Sequence, residues 1–180
     1  FARSGMSPKD AKVFIIDIRA NGGGNGKDIS TWFKNFTGKE LSEPMVRADR
    51  DGILNGEAIG KSIYLKRKHK ANFVNNQIPI ILLVDDECGS AGESMLNYMR
   101  SLDNVMVIGS NTAGCQICGK GMSISLPISN IGCSFGSAVW FHFNDENVDD
   151  KGYEPDVWCN PVDALDAVLN MLLRYDLTDE

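Results

Sequence analysis

Histidine is scarce in this sequence, with two among 180 residues. No apolar run approaches the ~18 residues needed to cross a bilayer as a helix, and no segment has the charged, apolar, small-residue order of a secretory leader. The chain begins at Phe1 rather than Met, as expected of a mature or excised piece of a longer protein whose targeting segment would lie elsewhere. A net charge of −6 argues against a nucleic-acid partner, because phosphate neutralisation needs a basic surface. The one basic run, Lys66-Arg67-Lys68-His69-Lys70, reads as a solvated loop after the strand-like Ser62–Leu65.

The cysteines are five: Cys88, Cys115, Cys118, Cys133 and Cys159. An odd count does not build a closed disulfide framework. Cys115-x-x-Cys118 is the one close pair, and a zinc site wants about four ligands. Cys133 and a distant residue would have to complete it, so neither a metal nor a cofactor is expected. Most of these thiols read as small buried apolar groups.

The chain is long enough for one domain with a core, and a single domain over 1–180 is expected. Lys12–Arg19 reads as a buried strand, broken by Asn21-Gly22-Gly23-Gly24-Asn25-Gly26. Residues 28–36 then place Ile29, Trp32, Phe33 and Phe36 on one helical face. Residues 37–60 are polar and predict a long excursion or flap. Further strands are predicted at 61–65, 79–84, 105–109 and 137–143, with alternation at 122–126 and a Gly/Cys-rich loop at 110–121. A helix is predicted from Ser90 to about Ser101. Another opens at Pro161, with an apolar stripe of Ala164, Leu165, Val168, Leu169, Leu172 and Leu173. Strands alternating with helices imply an α/β fold with a largely parallel sheet and helices packed on it.

Chemistry concentrates at Cys88-Gly89-Ser90-Ala91-Gly92-Glu93. An apolar strand ends just before it and a helix begins at Ser90. A hydroxyl there lies beside free N–H groups and the positive end of a helix dipole, where an oxyanion is stabilised. Ser90-x-x-Glu93 is equally the pattern of a capping box. From this segment alone, a capping serine and a nucleophile both stand.

The glycine-rich loops admit a phosphate reading, which fails in detail. Asn21–Gly26 has no GxGxxG register. Gly114–Lys120 departs from a P-loop at Gly121, where Ser or Thr should hold the magnesium, and no helix follows. A different use fits better. Loops after different strands of a parallel sheet gather at its carboxyl edge. One glycine N–H of the first loop and the Ala91 N–H would then form a two-donor oxyanion hole.

Four segments in order resemble peptidase family S41, the tail-specific or C-terminal processing proteases and their relatives. Ile16–Gly24 resembles Asp-Leu-Arg-x-Asn-x-Gly-Gly; Pro79–Glu93 resembles an apolar strand followed by Ser-Ala-x-Glu. Val107–Gly114 resembles Val-Gly-x-x-Thr-x-Gly, and Lys151–Val157 resembles Gly-Ile-x-Pro-Asp. The set spans roughly residues 12–158. The resemblance implies a ClpP/crotonase-like α/β fold, Ser90 as nucleophile, and the N–H groups of Ala91 and Gly23 as the oxyanion hole. It further implies a peptide or unfolded-protein substrate, reaction through an acyl-enzyme, and a parent exported to the periplasm or exterior.

Two departures bear on the base. In the processing branch a lysine follows Thr-x-Gly directly; here that position is Cys115, and Lys120 lies five residues on. Leu126-Pro127 downstream looks more like the branch without that lysine, whose histidine comes from well upstream. No histidine precedes Lys12 here. His69 and His142 are read as a solvent-facing and a packed or edge residue, and Asp149 stands near where tricorn-like relatives carry an acid. The base is therefore expected from the upstream part of a longer chain, with Lys120 or Asp149 as weaker candidates for base or acid. The rival reading is a non-catalytic module on the same fold that binds a peptide or lipophilic ligand. A crotonase-like acyl-CoA enzyme is disfavoured by a serine at the helix start.

Overall fold

A computed structural model of the chain describes residues 11–38, 45–49, 52–54, 57–59, 78–116, 118–142 and 148–178, with backbone alone at 45–59, 118–121 and 137–142. The predicted strand at 61–65, the basic run and His69 lie outside the described residues. In chain order the elements are β1 (Phe14–Asp17), α1 (Gly26–Thr37), β2 (Met45–Asp49), β3 (Gly52–Leu54) and β4 (Glu57–Ile59). There follow β5 (Ile80–Val84), α2 (Ala91–Arg100), β6 (Val105–Gly109), β7 (Cys118–Ser125), β8 (Gly132–His142), β9 (Val157–Trp158) and α3 (Ala164–Arg174). They divide between two compact units. The first comprises Phe1–Leu41, Lys70–Cys115 and Val148–Glu180; the second comprises Ser42–His69 and Gln116–Asn147.

The first unit is built on a parallel sheet of order β1-β5-β6-β9. Every residue of β5 is buried, because both faces of the strand are covered; this is why it reads in sequence as an unbroken apolar run. Ile80, Leu82 and Val84 join Ile16, Ile18 and Val107 on the face packed by α1 and α2. Ile81, Leu83 and Ile108 meet Ala164, Val168 and Leu172 of α3 on the other.

Helix α1 buries the four residues its periodicity predicts, Ile29, Trp32, Phe33 and Phe36. Trp32 stacks on Phe36, which stacks on Phe14 of β1, and Phe33 meets Tyr98 of α2. Asn25 caps its first turn by accepting from the Lys27 N–H, and Gly38 ends it in the left-handed region. Helix α3 starts later than Pro161: that residue and the next two form a turn. Its predicted stripe is only partly used, with Leu169 41% and Leu173 62% exposed.

The second unit is antiparallel and departs most from the sequence reading. Sheet β2-β8-β7 spans much of it, and β3 and β4 form a separate hairpin. The expected excursion at 37–60 thus contains three strands, and β7 begins at Cys118, inside the stretch read as loop. The cause is tertiary pairing: β2 finds its partner β8 some ninety residues on, where no local pattern announces it. The short β9 escaped notice for the same reason, being two residues paired to Ile108 and Gly109. Among the described residues, no helix is long and apolar enough to cross a membrane.

Gly109 ends β6 at φ +141°, and a Cβ there would stand 1.9 Å from the Val84 carbonyl oxygen of β5. Backbone has nowhere to yield at the centre of the sheet. Gly109→Ala is expected to destabilise by roughly 2–4 kcal/mol, whereas Gly26→Ala, facing open space at the start of α1, should be neutral or slightly stabilising. Paired urea denaturation curves check this: equal midpoints for the two variants would contradict it.

Candidate active site

The site is assembled where β1, β5 and β6 of the first unit end. Two acids pin the loop after β1. Asp17 takes Arg19 through Nε at 2.9 Å and Nη2 at 2.6 Å, while Arg19 Nη1 donates to the Pro161 carbonyl. The Arg19 guanidinium holds the Asp17 carboxyl below its usual range. Asp85, just beyond β5, receives the Ala20 N–H on both oxygens at 2.9 Å. Asn21 then accepts the Gly89 N–H on its carbonyl oxygen at 3.0 Å. These bonds bring the first glycine loop against the turn that leads into α2.

Ser90 stands at that turn with φ +53° and ψ −112°. This is a conformation L-residues rarely adopt, costing about 1–3 kcal/mol. A strand-to-helix turn strained in this way lifts a serine side chain out of the backbone's shelter, and Ser90 is exposed. Both halves of its capping box are present, with unequal geometry. Glu93 Oε2 accepts the Ser90 N–H at 3.0 Å, yet Ser90 Oγ, though on the side facing the Glu93 amide, makes no cap hydrogen bond of ordinary geometry. Among the described residues, no histidine or lysine side chain is hydrogen-bonded to that oxygen.

Gly23 lies directly beside Ser90. A Cβ on it would meet Ser90 Cβ at 2.8 Å and Oγ at 3.2 Å, at a φ of +120°. Only glycine brings backbone this close to the hydroxyl. Its N–H presently donates to Asn21 Oδ1 at 3.2 Å, a long bond that a better acceptor can displace. Ala91, the first residue of α2, has an N–H with no acceptor among the described residues. Of the two residues singled out from sequence, Gly23 thus approaches Ser90 through space and Ala91 follows it in the chain.

The loop after β6 closes the arrangement. Ala113 N–H donates to the Cys88 carbonyl at 2.8 Å. Glu93, fully buried, receives Thr112 Oγ1 at 2.7 Å and the Gly114 N–H at 2.8 Å on Oε1, and the Cys115 N–H at 2.9 Å on Oε2. Thr112 Oγ1 in turn accepts the Tyr153 N–H at 2.7 Å, and the Asp150 N–H donates to the Gly114 carbonyl at 3.0 Å. Sequence reasoning saw Glu93 only as half of a capping box and missed Asp85, Thr112 and Tyr153. The glycine- and threonine-containing segment 107–114 was the available signal for Thr112.

Of the weaker candidates, Asp149 is half-buried in the turn after Val148, and its charge is felt at Cys115. Lys120 belongs to β7, in the other unit, and His142 ends β8; their side chains lie outside the described residues, as does Cys118's. Cys115, exposed at the position after Thr-x-Gly, has its thiol pushed up by desolvation and then by the charges of Glu93, Asp149 and Asp150. Burial, reinforced by Glu93 and Asp85, takes the Cys88 thiol up to about 12. Both stay protonated near neutrality, so neither is a ready proton acceptor for a serine.

Alkylation by iodoacetamide, followed by peptide mass spectrometry across pH, should reflect this. The thiolate is the reactive form, so Cys115 should react more slowly at pH 7–8 than a free model thiol, with its rate midpoint displaced to higher pH. Cys88 should stay unmodified in the native protein. A Cys115 profile displaced to lower pH would reverse the electrostatic picture.

Comparison with known proteins bears on the fold and the family. The model of peptidase family S41 matches residues 2–158. Similar solved structures include a photosystem II D1 C-terminal processing protease, with TM-score 0.58 at 19% identity over 86% of this chain and 36% of that one. A candidate peptidase from Parabacteroides merdae aligns with TM-score 0.58 at 22% identity over 92% and 53%, and a lipoprotein from Streptococcus agalactiae with 0.56 at 17% over 91% and 55%. At such identities the likeness is one of fold, and the chain spans 36–55% of the length of these structures. No curated protein matches. A mixed α/β fold with a parallel sheet, and a family match over most of its length, make this chain a member of peptidase family S41, a family of peptide hydrolases.

Proposed function

We propose that the chain carries the nucleophile and oxyanion donors of a serine-type peptidase, as a single peptidase domain over residues 1–180 that belongs to a longer chain. The observation that carries this reading is Ser90 itself: a non-glycine residue held at φ +53° and exposed, whose oxygen faces the Glu93 amide without a cap hydrogen bond of ordinary geometry. Strain of this kind persists where the surroundings over-determine it, and it clusters at reactive positions. In the reaction, Ser90 Oγ attacks the scissile carbonyl carbon as a base removes its proton. The carbonyl oxygen, now negative, takes the N–H groups of Ala91 and Gly23, the latter exchanging Asn21 Oδ1 for the oxyanion. Collapse expels the amine, which takes from the base the proton removed from Ser90, and leaves an acyl-serine for water to hydrolyse.

The base comes from outside the described part of the first unit. The upstream part of a longer chain is the favoured source and Lys120 the alternative; Cys115, kept as a thiol, is not it. Asp149 is the candidate acid. The substrate class is a peptide or unfolded protein segment, and the resemblance to exported processing proteases supports a periplasmic or extracellular parent.

A second reading has one observation in its favour, the cysteine at the position where the processing branch carries its lysine: a binding module for peptide or lipophilic ligand that kept the fold. A fluorophosphonate probe separates the two. In the full-length protein, Ser90 should be labelled stoichiometrically and Ser90→Ala should abolish labelling. Lys120→Ala should leave the rate within about twofold when the base is upstream and lower it by about a hundredfold or more when Lys120 is the base. No labelling, together with ligand affinity that survives Ser90→Ala, would favour the binding module.

A further inference from the structure

Beyond the nucleophile and its oxyanion donors, one buried group ties the whole site together. Glu93 is fully buried on the first turn of α2 and accepts four hydrogen bonds. That is about the full lone-pair capacity of a carboxylate. The donors come from two separate loops. Ser90 N–H belongs to the turn that carries the nucleophile; Thr112 Oγ1, Gly114 N–H and Cys115 N–H belong to the loop after β6. A simple capping box needs only the first.

The sharing is specific by oxygen. Oε2 holds the Ser90 and Cys115 amides together, at 3.0 and 2.9 Å, so the two nitrogens lie no more than about 6 Å apart. Cys115 Cβ accordingly comes within 3.6 Å of where a Cβ on Gly89, the residue before Ser90, would stand. Oε1 holds Thr112 and Gly114, and through Thr112 Oγ1 the Tyr153 amide. The Ser90 N–H bond also acts on the nucleophile's own backbone. It fixes the 89–90 peptide plane, and with it the unfavourable φ of Ser90 that presents Oγ.

We infer that Glu93 is a positioning residue: its two oxygens hold Ser90 in its strained, presented conformation and fix the side chain at position 115 in register with it. The inference rests on the reading of Ser90 as nucleophile. The Glu93 carboxylate is not hydrogen-bonded to Ser90 Oγ; it acts through the Ser90 amide and the loop after β6. Gln in its place keeps size and burial but turns an NH₂ either towards the Ser90 and Cys115 amides or towards Thr112 Oγ1 and the Gly114 amide, so the loop after β6 loses an acceptor either way and its hold on the Ser90 turn with it.

The test is labelling kinetics of Ser90 with the fluorophosphonate in the full-length protein, resolved into KI and the maximal rate kinact, for wild type, Glu93→Gln and Leu172→Ala. Leu172 is buried on the opposite face of the sheet and supplies a variant destabilised without touching the site. Glu93→Gln should lower kinact by about tenfold or more with KI within about threefold, since presentation of Oγ is lost and access is not. Leu172→Ala should label at the wild-type rate below its melting temperature. A folded Glu93→Gln protein with unchanged kinact overturns the inference, as does an equal loss in Leu172→Ala, which would make the effect one of stability alone. Wild-type protein that does not label would instead sink the nucleophile reading and this inference with it. Should Glu93→Gln fail to fold, amide exchange in the wild type decides. The N–H groups of Ser90 and Cys115, in exposed residues, should exchange slowly, and exchange at the rate of open-loop amides overturns the proposal.

Discussion

A carboxylate taken out of water must fill its lone pairs from the protein, and the first unit's loops are arranged around one that does. Leaving a buried acceptor or donor unmet costs on the order of 1–3 kcal/mol, so Glu93 and its four donors constrain one another. Two loops with nothing in common in sequence are held to the same pair of oxygens. A single side chain on α2 thereby does what a long run of packing contacts does elsewhere in the fold.

The parallel sheet makes this convergence available. Strands β1, β5 and β6 run the same way, so the segments leaving them emerge at one edge. Each segment is then fixed by polar bonds and not by apolar packing, for there is little apolar surface in glycine-rich loops. Asp85 clamps the first loop through the Ala20 amide, Asn21 joins it to Gly89, and the Cys88 carbonyl takes the Ala113 amide. The tight approach of Gly23 to Ser90 follows from these bonds. Desolvation first, and then the same negative charge, sets the character of the thiols. Both are desolvated, and the field of Glu93 adds to it, with Asp85 near Cys88 and Asp149 and Asp150 near Cys115. Their environment favours the protonated form, the reverse of what a reactive cysteine needs.

Much of the first unit was legible in sequence because its signals are local. The four buried residues of α1 recur at helical spacing, β5 is apolar along its whole length because both faces are covered, and a serine followed by a helix places itself at a dipole's positive end. The ordered motifs around Asp17, Ser90, Thr112 and Pro155 pointed to family S41. The strands of the second unit were only partly legible: the stretches read at 137–143 and 122–126 fall largely on β8 and β7, whereas β2, β3 and β4 were not seen. Met45–Asp49 carries no strong alternation and becomes a strand only because β8 supplies its hydrogen bonds. A glycine-rich start hid the beginning of β7, and in the first unit the broad apolar stripe of α3 predicted more burial than its neighbours provide.

Residue type and spacing by themselves determined the α/β class of the first unit, the helix at Ser90 and the family, since each depends on chemistry within a short stretch of chain. Tertiary structure alone decided the rest of the site. That Gly23 touches Ser90, that Ser90 Oγ is left without a regular cap bond while Glu93 keeps its half of the box, and that Thr112, Gly114 and Cys115 meet the same carboxylate are all matters of distance between segments far apart in sequence. A capping motif is readable because its atoms are three residues apart. What its glutamate does with its remaining lone pairs depends on which loops the sheet brings within about 3 Å, and no local pattern encodes that.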